Sequence, residues 1–500
     1  MIPQTVARRG RVLAVLCVLV GAFAVAPSAS EASLPLRTAI ADVDSFISPQ
    51  ADLAFQRTRA TGATAVRFFV SWRQIAPGGT TKPAGFDSAN PADPHYDWSG
   101  LDRMVRSATA AHLDPILSIF RAPDWAEGPG EGPTYPGLTG TVRPDPTEYG
   151  RFASAAAKRY SGQFGGLPRV RYFQAWNEPN LFANLNPQFD TPLSQPLTAR
   201  SRPLSGNVYF PMVNAFAAGV HAVHRDNLVI AGGLAPFARF GVQEHGLAPL
   251  TFMRQMLCMT AADRPQRGCR RRSSFDVWAM DPYTQGSPEH HARFPGNVSI
   301  PELPKMRHLL LAAARAGRIA SRGAVRFWVL EISWDTNPPD PHQVPLKLHA
   351  RWVAEGLYRM WSAGVSLVAW FQLRDAGNPN NLPDNAVSQS GLYFRCAGGL
   401  TCDTPKPALA AFKFPFVAYR SGRTVLVWGR TPGGVPGTVT VEQQSGQSWR
   451  RLARLRADRN GIFTSKLSPR RSGDLRATMG GTSAVPFSLH VPRDFPVAVL

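Results

Sequence analysis

Two stretches of this chain end a strand-like run on a glutamate. In Trp176-Asn177-Glu178-Pro179, an apolar and aromatic run beginning at Arg171 closes on an amide and a carboxylate, and Pro179 stops the strand because it has no N–H for the ladder. A second run of strand character, residues 325–330, ends at Glu331. The carboxyl ends of strands are where a (β/α)8 barrel builds its active site, and two carboxyl groups there suit a reaction that needs an acid and a base or nucleophile together. Asn-Glu-Pro alone would also read as a polar turn. The second glutamate is what argues for chemistry.

Bringing both glutamates to one face requires a sheet whose strands run the same way. Strand-like runs at 38–43, 65–70, 115–120, 171–175, 228–231, 275–280, 325–330 and 366–371 alternate with helix-like segments at 49–62, 96–111, 146–160, 209–224, 305–316 and 345–362. That alternation predicts an α/β fold, and eight strands is the count of a (β/α)8 TIM barrel, here over residues 36–413. The Gly/Pro-rich stretch 127–146 and the irregular stretch 181–206 follow the third and fourth strands, on the glutamate face, where long loops wall a cleft. After Pro415 the pattern changes. Short runs at 424–429, 438–442, 449–455, 461–467, 474–478 and 486–491, separated by Gly, Pro and Ser, predict an all-β sandwich over 415–500. Trp428 and Trp449 fit its core, so packing against the barrel is the favoured role over carbohydrate binding.

The chain of 500 residues, 44% hydrophobic and 18% charged, can bury a large core and is too long for one average domain. Residues 1–32 read as a signal peptide: Arg8, Arg9 and Arg11 precede the apolar run 12–25, and small residues follow to Ala32. The run is shorter than the ~20 residues that span a bilayer, so no stable membrane insertion is expected after cleavage. Cys17 lies inside that run without a convincing lipidation signal. The remaining cysteines form two close pairs, Cys258 with Cys269 and Cys396 with Cys402, which predict local disulfides in an exported protein; their spacing does not match a zinc motif, and no metal or cofactor is expected. The net charge of +21 comes from scattered arginines without a nucleic-acid-binding module, so no nucleic-acid partner is expected. His290-His291 reads as a solvated pair, since adjacent histidines on a strand point apart. Asn297-Val-Ser299 is a glycosylation sequon whose use depends on the host.

The glutamates in their contexts resemble clan A glycoside hydrolases, especially family 5 (cellulase-like) and family 39. Further matches are Val66-Arg67-Phe68 with Trp72, Pro123-Asp-Trp125-Ala, Tyr283 after the sixth strand, Trp370 on the eighth, and a closing segment at 404–412. The resemblance implies Glu178 as acid/base and Glu331 as nucleophile of a retaining β-glycosidase. Such an enzyme places one carboxylic acid and one carboxylate about 5–5.5 Å apart across the bond, and their pKa values must be held apart. Arg67 and Tyr283 are then expected at the nucleophile and Asn177 at the sugar 2-hydroxyl. Trp370 is expected as the floor beneath the sugar, with Trp72, Trp125 and Trp334 as lining candidates, although tryptophan at strand ends is as often core. The chain departs from the pattern at Asp281, where many relatives carry histidine, and at Arg121.

The expected protein is therefore a secreted, monomeric hydrolase of a poly- or oligosaccharide. Two other readings are a carbohydrate-binding protein without catalysis, which would have no use for both glutamates, and an extracellular adhesion protein working through its basic surface.

Overall fold

Alternating strand and helix signals fold, in a computed structural model, into eight β/α repeats; the structure describes residue 1 and residues 33–132, 139–238, 246–377, 388–469 and 473–497. The expected signal peptide, apart from Met1, lies outside the described residues, as does part of the loop expected at 127–146. The strands are β1 (Arg37–Ala41), β2 (Ala65–Ser71), β3 (Asp114–Phe120), β4 (Tyr172–Ala175), β5 (Leu228–Leu234), β6 (Val277–Met280), β7 (Arg326–Val329) and β8 (Leu367–Phe371). Their helices are α1 (Ala51–Ala60), α2 (Ser99–Ala110), α3 (Pro146–Arg159), α4 (Ser205–Val223), α5 (Pro249–Met256), α6 (Leu303–Arg315), α7 (Leu346–Ser362) and α8 (Pro407–Lys413). Every pairing around the closed barrel is parallel, and β1 joins both β2 and β8.

Residues two apart on a strand share a face, so the barrel separates two cores. Inside, Ala39, Ala65, Ile116, Ile230, Val277 and Leu367 form an apolar cluster with Tyr172 and Trp328, whose rings meet edge to face at 5.5 Å. Two residues further along β2, β3 and β4, the same inward rows carry Arg67, Ser118 and Gln174, all buried. The floor is apolar and the layer beneath the mouth is polar. Outside, the helices cover the strands with a second, larger core. Between α3 and α4 the backbones nearly touch: a Cβ at Gly219 would lie 2.3 Å from the Gly150 carbonyl oxygen.

The C-terminal residues form two antiparallel sheets. One pairs β9 (Phe416–Ser421), β10 (Thr424–Arg430) and β13 (Ile462–Leu467); the other pairs β11 (Gly437–Ser445), β12 (Ser448–Ala457), β14 (Leu475–Met479) and β15 (Thr482–Ser483). They pack on α7, where Trp428 lies 5.3 Å from Tyr358 and 5.4 Å from Trp361, and the Arg351 guanidinium lies 4.0 Å from the Phe487 ring. Barrel and sheets belong to one compact unit, Ser33–Leu500. Trp428 is core as expected, whereas Trp449 is half-buried beneath Arg476. No strand forms over 486–491: only Phe487 bridges to Leu475, because Pro486 and Pro492 cannot donate to a ladder.

Both disulfides have the expected local pairing, Cys258 with Cys269 and Cys396 with Cys402. The adjacent histidines engage different carboxylates, His290 with Asp494 at 2.7 Å and His291 with Glu302 at 2.6 Å. Among the described residues no helix is long and apolar enough to cross a membrane.

Candidate active site

After β4 the chain turns through two residues with left-handed backbone, Trp176 (φ 71°) and Glu178 (φ 40°). For side chains with a Cβ this costs on the order of 1 kcal/mol or more, so neighbouring structure must hold the corner. The Trp176 N–H donates to the Ile119 carbonyl at 3.0 Å and its indole N–H to the Asn184 carbonyl at 2.8 Å. The Glu178 N–H donates to the Gly233 carbonyl at 2.9 Å, and the Asn180 amide donates to the carbonyls of Ala235 and Leu247. The strained corner is pinned from β3, from β5 and from its own following loop.

Glu331 follows β7 and meets a different environment. Its Oε1 accepts from Arg67 Nη1 at 2.5 Å and its Oε2 from the Tyr283 hydroxyl at 3.1 Å. The fully buried Arg67 guanidinium also donates through Nη2 to Asn177 Oδ1 at 2.5 Å, and through Nε to Ser118 Oγ at 2.8 Å and Gln174 Oε1 at 3.1 Å. An arginine keeps its charge when buried, so it must be given acceptors, and this one collects them from β3, β4 and the ends of β4 and β7. One side chain thereby sets the spacing of the residues that follow two different strands.

Glu178 is half-buried and, among the described residues, is paired with no cation; its Oε2 accepts from Asn184 Nδ2 at 3.5 Å. Arg121 Nη2 donates to the Oδ1 of that same amide at 3.3 Å. Burial, then the negative charges of Glu331 and Asp281, push the Glu178 carboxyl well above the usual carboxylate range, against the pull of Arg67. Asp281, just past β6, is fully buried and is likewise pushed well up by burial and by Glu331. Burial and the Glu331 charge also push the Tyr283 hydroxyl up, so it stays a donor.

Arg67, Asn177, Tyr283 and Glu331 are thus joined in one hydrogen-bonded group, close enough for the charges of Arg67 and Glu331 to act on Glu178. The tryptophans do not all follow. Trp72 is buried between Trp125, Tyr149 and Phe152, with its ring stacked on Phe152 at 5.6 Å. Trp334 donates to Thr284 Oγ1 and the Gly286 carbonyl and packs on Trp352 and Trp370. Trp370 itself is only 1% exposed, with its indole N–H on the Ser390 carbonyl and Phe412 and His349 against its ring. These three rings belong to the packing that supports the site rather than to an open lining, a correction to the expectation, because strand-end indoles here meet other aromatics. Trp125 is half-buried, with its N–H on the Pro77 carbonyl.

Four supporting positions were not anticipated. Ser118 and Gln174 were visible as polar residues on inward rows of apolar strands. Asn184 reaches Glu178 only through the reversal of its loop, which leaves no local pattern. Gly233 (φ 59°) is required because a Cβ there would lie 2.4 Å from Gln174 Nε2.

Comparison with solved structures places this fold among known barrels. A monomeric β-xylosidase from Caulobacter crescentus CB15 aligns over 88% of this chain and 98% of its own, with a TM-score of 0.51 at 14% identity. A GH39 enzyme from Xanthomonas axonopodis pv. citri aligns over 90% and 98%, with a TM-score of 0.50 at 14% identity. At such identity the likeness is one of fold. No protein-family model and none of the curated proteins matches the chain.

Proposed function

We propose that this protein is a secreted, retaining β-glycoside hydrolase that acts as a monomer on a poly- or oligosaccharide. The observation that carries this reading is the unequal treatment of two carboxyl groups at one barrel mouth: Glu331 is bound by a guanidinium and a phenol, while Glu178 is crowded by negative charge. In the first step the Glu331 carboxylate attacks the anomeric carbon as the Glu178 acid gives its proton to the departing oxygen. Bonding of Glu331 to the sugar removes its negative charge, which lowers the Glu178 pKa and readies it as the base. In the second step Glu178 takes a proton from water, which displaces Glu331 and restores both groups. Asn177, oriented by Arg67, is available to the sugar hydroxyl next to the reacting carbon. The leader-like N-terminus and the two disulfides support export.

Incubation with β-glucans, mannan, xylan and bacterial exopolysaccharides, scored by new reducing ends, should identify a substrate. Proton NMR of the first-formed product should show the β anomer. The α anomer, or carboxyl groups about 8 Å or more apart in a crystal structure, would contradict retention.

A further inference from the structure

We infer that export cleaves this chain between Ala32 and Ser33, and that the α-ammonium group so freed pairs with Asp458, tying the entry of the barrel to the C-terminal sheets; this rests on the export proposed above. Three triplets at the end of the leader-like stretch carry small residues at both ends: Ala24-Val25-Ala26, Ser28-Ala29-Ser30 and Ser30-Glu31-Ala32. Each fits the small-residue pattern of a cleavage signal, so the sequence does not choose among them. The contacts of Ser33 do. It is the first residue of the compact unit, and it lies against the turn between β12 and β13. Its N–H donates to Asp458 Oδ2 at 2.9 Å, its hydroxyl donates to the same oxygen, and its carbonyl accepts from Asn460 Nδ2 at 2.6 Å. One residue on, the Leu34 carbonyl accepts from the indole N–H of Trp361, on α7, at 2.8 Å.

Asp458 is built to meet that nitrogen. Its Oδ1 accepts from the N–H groups of Asn460 and Ile462 at 2.8 and 3.0 Å, so the turn fixes the carboxylate and leaves Oδ2 to Ser33. Against partial burial, the hydrogen bonds from Ser33, Ile462 and Asn460 hold the Asp458 carboxyl below the usual carboxylate range. Among the described residues no Lys, Arg or His side chain pairs with it, and Arg459 beside it in the chain is exposed. In the uncleaved chain the nitrogen facing this carboxylate is a neutral amide. Hydrolysis of the Ala32–Ser33 bond by a signal peptidase consumes one water, leaves a carboxylate on Ala32 of the departing leader, and gives Ser33 a primary amine that takes up a proton. The neutral hydrogen bond then becomes a charge-assisted ion pair with no rearrangement of the turn. Cleavage after Ala26 or Ser30 would leave Ser33 an amide and Asp458 without its cation.

The first test is N-terminal sequencing of the protein secreted when the full chain is expressed in an exporting bacterial host. Ser33 is expected as the first residue; export with a first residue other than Ser33 overturns the cleavage site while leaving the export reading intact. The pairing is read separately, on protein released from a cleavable N-terminal fusion so that Ser33 comes first. Labelling of the α-amine by acetic anhydride, followed against pH by mass spectrometry, gives its titration midpoint. That midpoint should lie about one pH unit above the ordinary value of ~8 and return to it in Asp458→Asn, which keeps the Oδ1 acceptor of the turn. In protein that retains Glu31 and Ala32 before Ser33, the midpoint should be ordinary with either residue at 458. Equal midpoints in the Ser33-first protein and its Asp458→Asn variant would overturn the pairing. If the chain is retained in the cell uncleaved, the export reading and the cleavage fail together, and a raised midpoint in the Ser33-first protein would still establish the pairing.

Discussion

The corner after β4 and the corner after β7 present the same functional group to the same barrel mouth under opposite conditions. At β7 a glutamate is held by one short, charge-assisted bond from Arg67 and by the Tyr283 hydroxyl. At β4 a glutamate sits on strained backbone, held through its main chain, and among the described residues its carboxyl has one donor, the Asn184 amide at 3.5 Å. The difference shows where the protein invests side-chain bonds. A nucleophile needs a fixed, charged oxygen, whereas an acid that must later act as a base needs a carboxyl whose proton is governed by surrounding charge.

The sharpest way to break this comparison is to remove the bonded carboxyl. Glu331→Ala should lower kcat/KM by roughly 10^4-fold or more, because no group of the right reach remains to form the covalent intermediate. Arg67→Lys keeps a charge but loses the fork that joins Glu331, Asn177 and Ser118. It should cost about 10^2-fold in kcat, and about 3 kcal/mol of stability by denaturant unfolding, because buried acceptors lose their partner. Tyr283→Phe removes one hydrogen bond to a charged oxygen and should cost about tenfold in kcat with little change in unfolding midpoint.

A second buried cation sharpens the contrast from outside the site. Lys406 Nζ donates to Asp375 Oδ1 at 2.5 Å, Gln389 O at 2.7 Å and Thr336 Oγ1 at 2.8 Å, tying the segment after β8 to the start of α8. Lys406→Met should destabilise by about 3 kcal/mol, yet leave kcat per folded molecule within about threefold of wild type. A loss of kcat as large as that of Arg67→Lys would show that any buried ion pair supports turnover equally, and the distinction drawn at Arg67 would be lost.

Much of this was legible in the sequence, for particular reasons. All eight barrel strands lie within a few residues of their expected places, because each run is apolar, short and flanked by turn residues. The glutamates were legible because each ends such a run, and Arg67 because a cation in the middle of a buried strand has no packing use. The tryptophans could not be sorted from the sequence because a strand end serves cleft and core alike, and only the neighbours, such as Phe152 beside Trp72, decide between them. Asn184 and Gly233 were not legible, since one acts through a loop reversal and the other through space it leaves empty. Helix α5 and strand β9 went unseen for a local reason: one is only eight residues long and the other begins beside Pro415.

The most direct measurement of the central claim is pre-steady-state hydrolysis of an aryl glycoside with a very acidic phenol by Glu178→Ala and Glu331→Ala. Such a phenol leaves without protonation, so Glu178→Ala should release a burst equal to the enzyme concentration and then turn over slowly, for lack of a base to activate water. Azide should speed the slow phase and yield the β-glycosyl azide, while Glu331→Ala should show neither burst nor turnover. A burst that survives in Glu331→Ala and is lost in Glu178→Ala would contradict the assignment of the two glutamates.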